Sequence, residues 1–311
     1  MTARALITGI GGQDGTYLAE RLVAEGMEVH ALVLESDGHP AHCPDEVVLH
    51  TGDLGDLEAT RRLVLEIEPR EVYNLAAISS VAQSWDEPDL TAHVNGQAAV
   101  ALMESARLVG DVRLVQASSA EIFGEPATSP QTEDTAVRPV NPYGAAKAFA
   151  HLSAGVFRQR DLHVSSAVLY NHESPRRDQR FVTRKITSTV AAIARGETDE
   201  LVLGNLDARR DWGWAPDYVD AMVRAARADE PADYVVATGQ AHSVRDFVAA
   251  AFAAVGITDW ERYVRQDPRF FRPADPTELV GDASRARDVL GWTPTVAFDE
   301  VVARMVRADL G

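Results

Sequence analysis

The residues Thr8-Gly9-Ile10-Gly11-Gly12-Gln13-Asp14-Gly15 follow an apolar run, Ala5-Leu6-Ile7, and open a helical pattern in which Leu18, Leu22 and Val23 share a face. Gly9, Gly12 and Gly15 are spaced G-x-x-G-x-x-G. Glycine at such a junction permits a tight turn, lets backbone approach a pyrophosphate, and lets the helix pack closely on the strand. The helix start then directs its N–H groups and positive dipole end at the phosphates. A turn without a ligand would use glycines too, so position carries the weight: this is the first strand–helix junction of the chain. A dinucleotide site is expected here, with Gly9, Gly12, Gln13, Asp14 and Gly15 in its loop.

Strand-like runs at 4–8, 28–33, 46–50, 71–75, 112–116 and 163–169 alternate with helical patterns at 15–25, 56–67, 90–109 and 142–160. This alternation predicts an α/β fold, a parallel sheet covered on both faces. Right-handed crossovers make it a Rossmann-type doubly wound sheet. The second half is richer in helix. Residues 181–195 set Val182, Ile186, Val190 and Ile193 on one face and stop at Gly196. Ser243 and Asp246 open a helix in capping-box style that ends at Gly256, and a last helix runs from Phe298 to Leu310. The expected division is a dinucleotide-binding domain at 1–169 plus about 214–242, and a smaller, mostly helical substrate lobe at 170–213 and 243–311.

The 311 residues suffice for a sizeable core, and 46% hydrophobic with 25% charged residues is ordinary for a globular chain. A net charge of −17 argues against non-specific attraction to nucleic acid or anionic lipid. The longest nearly apolar run, Phe247 to Ile257, is too short to cross a bilayer, which takes about 18–20 residues. Strand-like sequence from Ala5 leaves no room for a signal peptide. No nucleic-acid or membrane partner is therefore expected. Cys43 is the single cysteine, so no intrachain disulfide forms and a reducing, cytoplasmic location is expected. His42, His50, His151, His163 and His242 lack ligand spacing, so no metal site is expected. An anionic ligand of so acidic a chain needs local cations. Basic residues do cluster at 176–185, although that stretch alone reads equally as a solvated helix start.

Gly52-Asp53-Leu54 and Asn74-Leu75-Ala76-Ala77 lie where a dinucleotide would cross the strand ends. Asp53 there can accept from an adenine amino group, and the alanines let the coenzyme approach; a loop Asp and core alanines would look the same. Pro142-Tyr143-Gly144-Ala145-Ala146-Lys147 puts Tyr143 and Lys147 on one helical face. A phenol titrates near 10, and a neighbouring ammonium is expected to bring it nearer a useful base. An exposed helical Tyr–Lys pair is the plain alternative. Against that alternative stands Ser118-Ser119-Ala120-Glu121 after the fifth strand. Ser119 can share a sugar hydroxyl's proton with Tyr143, and Glu121 can act as a second acid/base.

The order glycine loop, Ser-x-Glu, Tyr-x-x-x-Lys resembles the extended short-chain dehydrogenase/reductase superfamily. Asn171-His172-Glu173-Ser174-Pro175-Arg176-Arg177, Phe181-Val182-Thr183-Arg184-Lys185-Ile186, Asn205-Leu206-Asp207-Ala208-Arg209-Arg210-Asp211-Trp212-Gly213 and Met305-Val306-Arg307-Ala308-Asp309-Leu310 narrow the match. Nearly end to end, the chain resembles GDP-mannose 4,6-dehydratases. The resemblance implies Ser119, Glu121, Tyr143 and Lys147 as the catalytic set. It places Arg176 near an NAD or NADP coenzyme, alongside Leu54, Leu75, Ala76 and Ala77. It implies Ser79, Asn171, Val182, Arg184, Lys185, Arg210, Arg272 and Asp275 as holding the nucleotide sugar, and GDP-mannose as substrate. The activity implied is conversion of GDP-mannose to GDP-4-keto-6-deoxymannose, with hydride passing from C4 to the coenzyme and back to C6 as water leaves.

Two departures stand out. Val33-Leu34-Glu35-Ser36-Asp37-Gly38 carries Leu34 and Glu35 where the family usually has arginines for the 2′-phosphate of NADP. A carboxylate repels that phosphate but accepts from a free 2′-hydroxyl, so NAD is expected, and an inherited tetramer loses support. Ile78 stands where Gln commonly precedes the Ser. A nucleotide-sugar 4-epimerase or 4-keto reductase is the nearest rival, and a silent dinucleotide-binding protein is disfavoured because Tyr143 and Lys147 are both kept. Dimerisation through the helices at 90–109 and 142–160, common in the superfamily, is the default expectation. His172 lies within the matched segment and carries no assigned chemistry.

Overall fold

The computed structural model describes residues 2–270 and 278–311. β1 (Arg4–Thr8) leads into α1 (Gln13–Ala24) and β2 (Glu28–Val33), followed by β3 (Val48–Thr51), α2 (Leu57–Ile67) and β4 (Glu71–Asn74). Two short helices, α3 (Val81–Asp86) and α4 (Pro88–Ala92), precede α5 (Ala98–Val109), β5 (Arg113–Ser119), α6 (Pro142–Arg158) and β6 (His163–Leu169). Next come β7 (Asn171–Glu173), α7 (Val182–Ala194), β8 (Leu201–Leu203), β9 (Arg209–Trp214), α8 (Ala215–Arg227) and β10 (Asp233–Val236). The chain closes with β11 (Ala241–Ser243), α9 (Val244–Ala253), β12 (Val264–Gln266), β13 (Glu278–Leu279), α10 (Ser284–Leu290) and α11 (Phe298–Leu310).

Seven strands form one parallel sheet in the order β10-β6-β5-β4-β1-β2-β3, the Rossmann-type arrangement expected. Leu6 lies opposite His30 of β2 and Val72 of β4, so the order reverses at β1 and opens a crevice at the strands' carboxyl ends. Alternate residues point to opposite faces. Ile7, Val29, Tyr73 and Val115 meet Leu18 and Leu22 of α1 and Tyr218 and Met222 of α8. Leu6, Val72, Leu114 and Val164 meet Val64 and Ile67 of α2 and Leu102 of α5.

A separate core joins Ile186 and Val190 of α7, Phe247 and Phe252 of α9, Val302 and Met305 of α11, and Trp212. Burying each such large side chain contributes about 1.5–3 kcal/mol. This core, rather than the short-stranded sheets beside it, dominates the cohesion of the second half. One of those sheets runs β11-β9-β13, with β7 also paired to β9, and the other pairs β12 with β8.

Two of the differences from the sequence reading concern the main sheet and the helix after β4. The seventh strand of the main sheet, β10, went unrecognised, although Tyr234-Val235-Val236 is an apolar run bounded by Pro231 and Gly239. The helix expected at 90–109 is broken: α4 gives way to a wider π turn over His93–Gln97 before α5. The break sets Asn95 inward, where its Oδ1 accepts from Ile78 N at 2.8 Å and its Nδ2 donates to Ile78 O at 3.0 Å. The backbone at Ile78 is thereby fixed whatever side chain it bears.

Candidate active site

The glycine loop has the shape its spacing implies. Gly9 adopts φ 75°, and a Cβ there would fall 2.6 Å from Ala76 N; a Cβ on Gly15 would fall 2.4 Å from Gly9 O. Those two glycines are therefore packing requirements. Gly12, exposed, is the N-cap of α1 and supplies no capping side chain, which leaves the first N–H groups of the helix turned toward the crevice. Below the loop, Thr8 Oγ1 donates to Asn74 Oδ1 at 2.8 Å, and Asn74 Nδ2 donates to Gln116 Oε1 at 2.7 Å. Ala76 N in turn donates to Thr8 Oγ1 at 3.2 Å. This row locks the ends of β1, β4 and β5 in register. Asp53 spends Oδ1 on Gly55 N at 2.8 Å, a local turn that leaves Oδ2.

Ser119 ends β5, and its Oγ accepts from Glu121 N at 3.2 Å, capping a single 3₁₀ turn. Tyr143 and Lys147 lie on α6, with Lys147 Nζ 5.9 Å from the Tyr143 ring centre. Lys147 is 3% exposed and donates to Ala117 O at 2.9 Å, so two of its three N–H donors have no protein partner among the described residues. Buried donors of that kind, beside a glycine loop at the start of a helix, fit a bound nicotinamide dinucleotide.

One electrostatic expectation fails. Protein atoms crowded around Tyr143 push its hydroxyl up to about 12; Ser119 pulls it back and the Glu121 charge adds to the rise. Burial brings the Lys147 ammonium down to about 8, with Asp14 opposing. Both shifts favour the uncharged Tyr–Lys pair, because burial is the largest influence on each group.

The segment after β6 is bound to the glycine loop. Gln13 Nε2 donates to His172 O at 3.1 Å, and Ser174 Oγ donates to Gln13 Oε1 at 2.8 Å. His172 Nδ1 lies 2.7 Å from Tyr170 O, and its Nε2 lies 2.8 Å from Asp14 Oδ2. A carbonyl and a carboxylate only accept, so the ring donates from both nitrogens and carries a positive charge. Burial lowers the His172 pKa, but Asp14 outweighs it and the net shift is upward. For Asp14, burial raises the pKa and His172 outweighs it downward. The ring also stacks on Tyr218 at 4.4 Å. His172, unassigned from sequence, is thus the charged tie between α1 and β7.

The other expected ligand residues are distributed as follows. Arg176 reaches across to α1, stacking on Tyr17 at 3.9 Å and pairing with Glu20 at 2.6 Å. Arg184, in the first turn of α7, is ion-paired with Asp309 of α11. Lys185 lies 4.3 Å from the Phe270 ring centre, and burial lowers its pKa. Asn171 of β7 sits opposite Trp212 of β9, two residues from the buried Arg210, whose guanidinium donates to Arg209 O at 2.7 Å. Val182 packs against the core of α7, α9 and α11. Ser79 is exposed after β4, and Leu34 and Glu35 are exposed after β2. Arg272 and Asp275 lie outside the described residues. Among the described residues no group of three or more His, Cys, Asp or Glu is placed to hold a metal ion, and no helix is long and apolar enough to cross a membrane.

Sequence reasoning missed Thr8, Asn74, Gln116, Asn95 and Asn141. Of these, Asn141 alone carried a local signal, a capping residue directly before a helix-starting proline.

A sequence model of the family described as GDP-mannose 4,6 dehydratase matches residues 6–305. GDP-mannose 4,6 dehydratase 2 of Arabidopsis thaliana is 44% identical, over 98% of this chain and 86% of that protein. The GDP-mannose 4,6 dehydratase of Homo sapiens is 42% identical, over 98% and 91%. Among solved structures, the UDP-glucose 4-epimerase of Thermus thermophilus in complex with NAD superposes with a TM-score of 0.88 at 29% identity, covering 99% of each chain. The chain belongs to the GDP-mannose 4,6-dehydratase family.

Proposed function

We propose that this protein is a nicotinamide-dinucleotide-dependent nucleotide-sugar dehydratase that converts GDP-mannose to GDP-4-keto-6-deoxymannose and water. The observation that carries the reading is the meeting of Ser119, Glu121, Tyr143 and Lys147 at the carboxyl end of β5, beside a glycine loop built for a pyrophosphate. Gly9, Gly12, Gln13, Asp14 and Gly15 form the loop, and Asp53, Leu54, Leu75, Ala76 and Ala77 line the adjoining strand ends. A dinucleotide held there would supply the hydride acceptor, and its positively charged ring would favour the Tyr143 phenolate against the burial that holds the phenol neutral.

As the phenolate, Tyr143 would take the proton from the sugar O4, with Ser119 sharing it, as C4 is oxidised to a ketone. The ketone acidifies C5–H. Glu121 takes that proton, and the C–H electron pair enters the C4–C5 enolate. Protonated Glu121 then delivers its proton to the C6 hydroxyl, which leaves as water. C6 would take back the hydride and C5 the proton that Tyr143 took from O4, so C4 ends oxidised by two electrons, C6 reduced by two, and one water is lost. Asn171, Arg184, Lys185 and Arg210, with Val182 and Ser79 beside them, are proposed to hold the nucleotide and its diphosphate. Arg184 must share its guanidinium with Asp309 or leave it. The separate core of α7, α9 and α11 supports a proposed division into a coenzyme domain and a substrate lobe, although Tyr170, Leu279, Ala286 and Trp292 pack into the core of the main sheet.

NAD is the proposed coenzyme, because exposed Leu34 and Glu35 offer a 2′-phosphate no cation after β2. A homodimer is proposed through α6, where Phe149, Leu152 and Val156 stand 51%, 57% and 63% exposed in one apolar stripe. Cys43, free and buried, fits the proposed reducing, cytoplasmic compartment. The decisive experiment is mass spectrometry of GDP-mannose incubated with the protein and NAD or NADP. Loss of one water supports the reading. An unchanged mass with inverted stereochemistry at C4 would transfer it to the epimerase class of the Thermus neighbour.

A further inference from the structure

We propose that Asn141 is a positioning residue for the elimination: one side chain caps the helix carrying Tyr143 and Lys147 and holds the carboxylate of Glu121 for proton removal at C5. The proposal rests on the reading of Glu121 as that base. Asn141 is buried. Its Oδ1 accepts from Gly144 N at 2.7 Å, and its Nδ2 donates to Glu121 Oε2 at 2.8 Å.

Capping alone does not call for asparagine at this site. Serine and aspartate cap equally well, but serine is too short to bridge and aspartate has no donor. The amide alone among uncharged side chains of this length offers an acceptor and a donor together. Gly144 makes the bridge short enough, since a Cβ there would fall 2.5 Å from Glu121 O. The start of α6 consequently presses on the turn that bears Glu121. With Glu121 N held by Ser119 Oγ at 3.2 Å and Oε2 held by Asn141, Oε1 has no protein donor among the described residues and is left for the transferred proton. Donation from Nδ2 removes rotamer freedom from a long side chain.

The test compares Asn141→Ser and Asn141→Asp with the parent enzyme at saturating dinucleotide and GDP-mannose. Asn141→Ser keeps a capping oxygen and adds no charge, so its thermal midpoint should stay within about 3 °C, whereas Asn141→Asp sets a second carboxylate against Glu121 Oε2 and is read by its kinetics alone. Reduced nicotinamide, followed by absorbance, should form at the parent's rate and then persist. Solvent deuterium entry at C5 and water loss should each slow about 10- to 100-fold, with KM within about threefold, the scale of a lost hydrogen bond to a charged group. Unaltered decay of the reduced coenzyme would overturn the proposal. So would an equal slowing of its formation and decay accompanied by a drop in midpoint, which would make Asn141 a cap and nothing more. If the parent itself removed no water from GDP-mannose, the activity assigned above would fall, and the failure would be visible before any variant was made.

Discussion

The charged tie between His172 and Asp14 makes a prediction whose sign is fixed by its geometry. Replacing His172 with Gln, or Asp14 with Asn, leaves the other group buried without its partner. Breaking a fully buried pair costs about 3–5 kcal/mol. Asp14 keeps a side-chain exposure of 19%, which brings the expectation down to about 2–3 kcal/mol. Unfolding entropy is roughly 2.1 cal/mol/K per residue, so for 311 residues that loss is about 3–5 °C in Tm. His172 is raised in the folded state, so its contribution is complete below about pH 6.5 and is lost as pH climbs through the raised folded value. Asp14 is lowered, so its contribution is present above about pH 3.8 and lost as pH falls through the depressed value. A double-mutant cycle on the coenzyme-free protein, by urea unfolding, should therefore give its largest coupling near pH 5.5 and a clearly smaller one near pH 9. A coupling independent of pH, or none at pH 5.5, would refute the doubly donating imidazolium.

Three further outcomes are expected. Gly15→Ala should cost more than about 2 kcal/mol and abolish dinucleotide binding, because its Cβ meets Gly9 O and Ile10 Cα; Gly12→Ala, with its nearest contact at 3.3 Å, should lose affinity while keeping its calorimetric midpoint within about 2 °C. Calorimetric titration should find NAD bound at least about tenfold tighter than NADP, with Glu35→Arg narrowing the gap; a preference for NADP in the parent would sink that assignment. Val156→Asp should shift small-angle scattering from a dimeric to a monomeric mass, and a monomeric parent would remove the dimer altogether.

What could be seen in advance follows from how local each feature is. Gly9 and Gly15 announce themselves because the clash that forces them lies within the junction or one strand away. Tyr143 and Lys147 do so because a helix sets residues four apart side by side. β7, β11 and β12 are three residues long, too short for any period to register, and β10 has only four. Asn95, Asn141 and His172 leave no periodic trace, for their meaning lies in partners 17, 20 and 158 residues away. The Tyr143 shift escapes a sequence reading for a related reason. Spacing gives the ammonium's distance along the helix, whereas burial is set by everything folded around the ring.

Helix α6 is a rod roughly 25 Å long with two working sides. Tyr143 and Lys147 look into the crevice, while Phe149, Leu152 and Val156 look out. Such a rod conveys a push on its outer side to its inner one as a whole-body shift, with no hinge between them to absorb it. Whatever presses on that outer stripe therefore sets the aim of the Tyr143 phenol. Subunit contact, ordinarily a matter of durability, would then be a determinant of turnover.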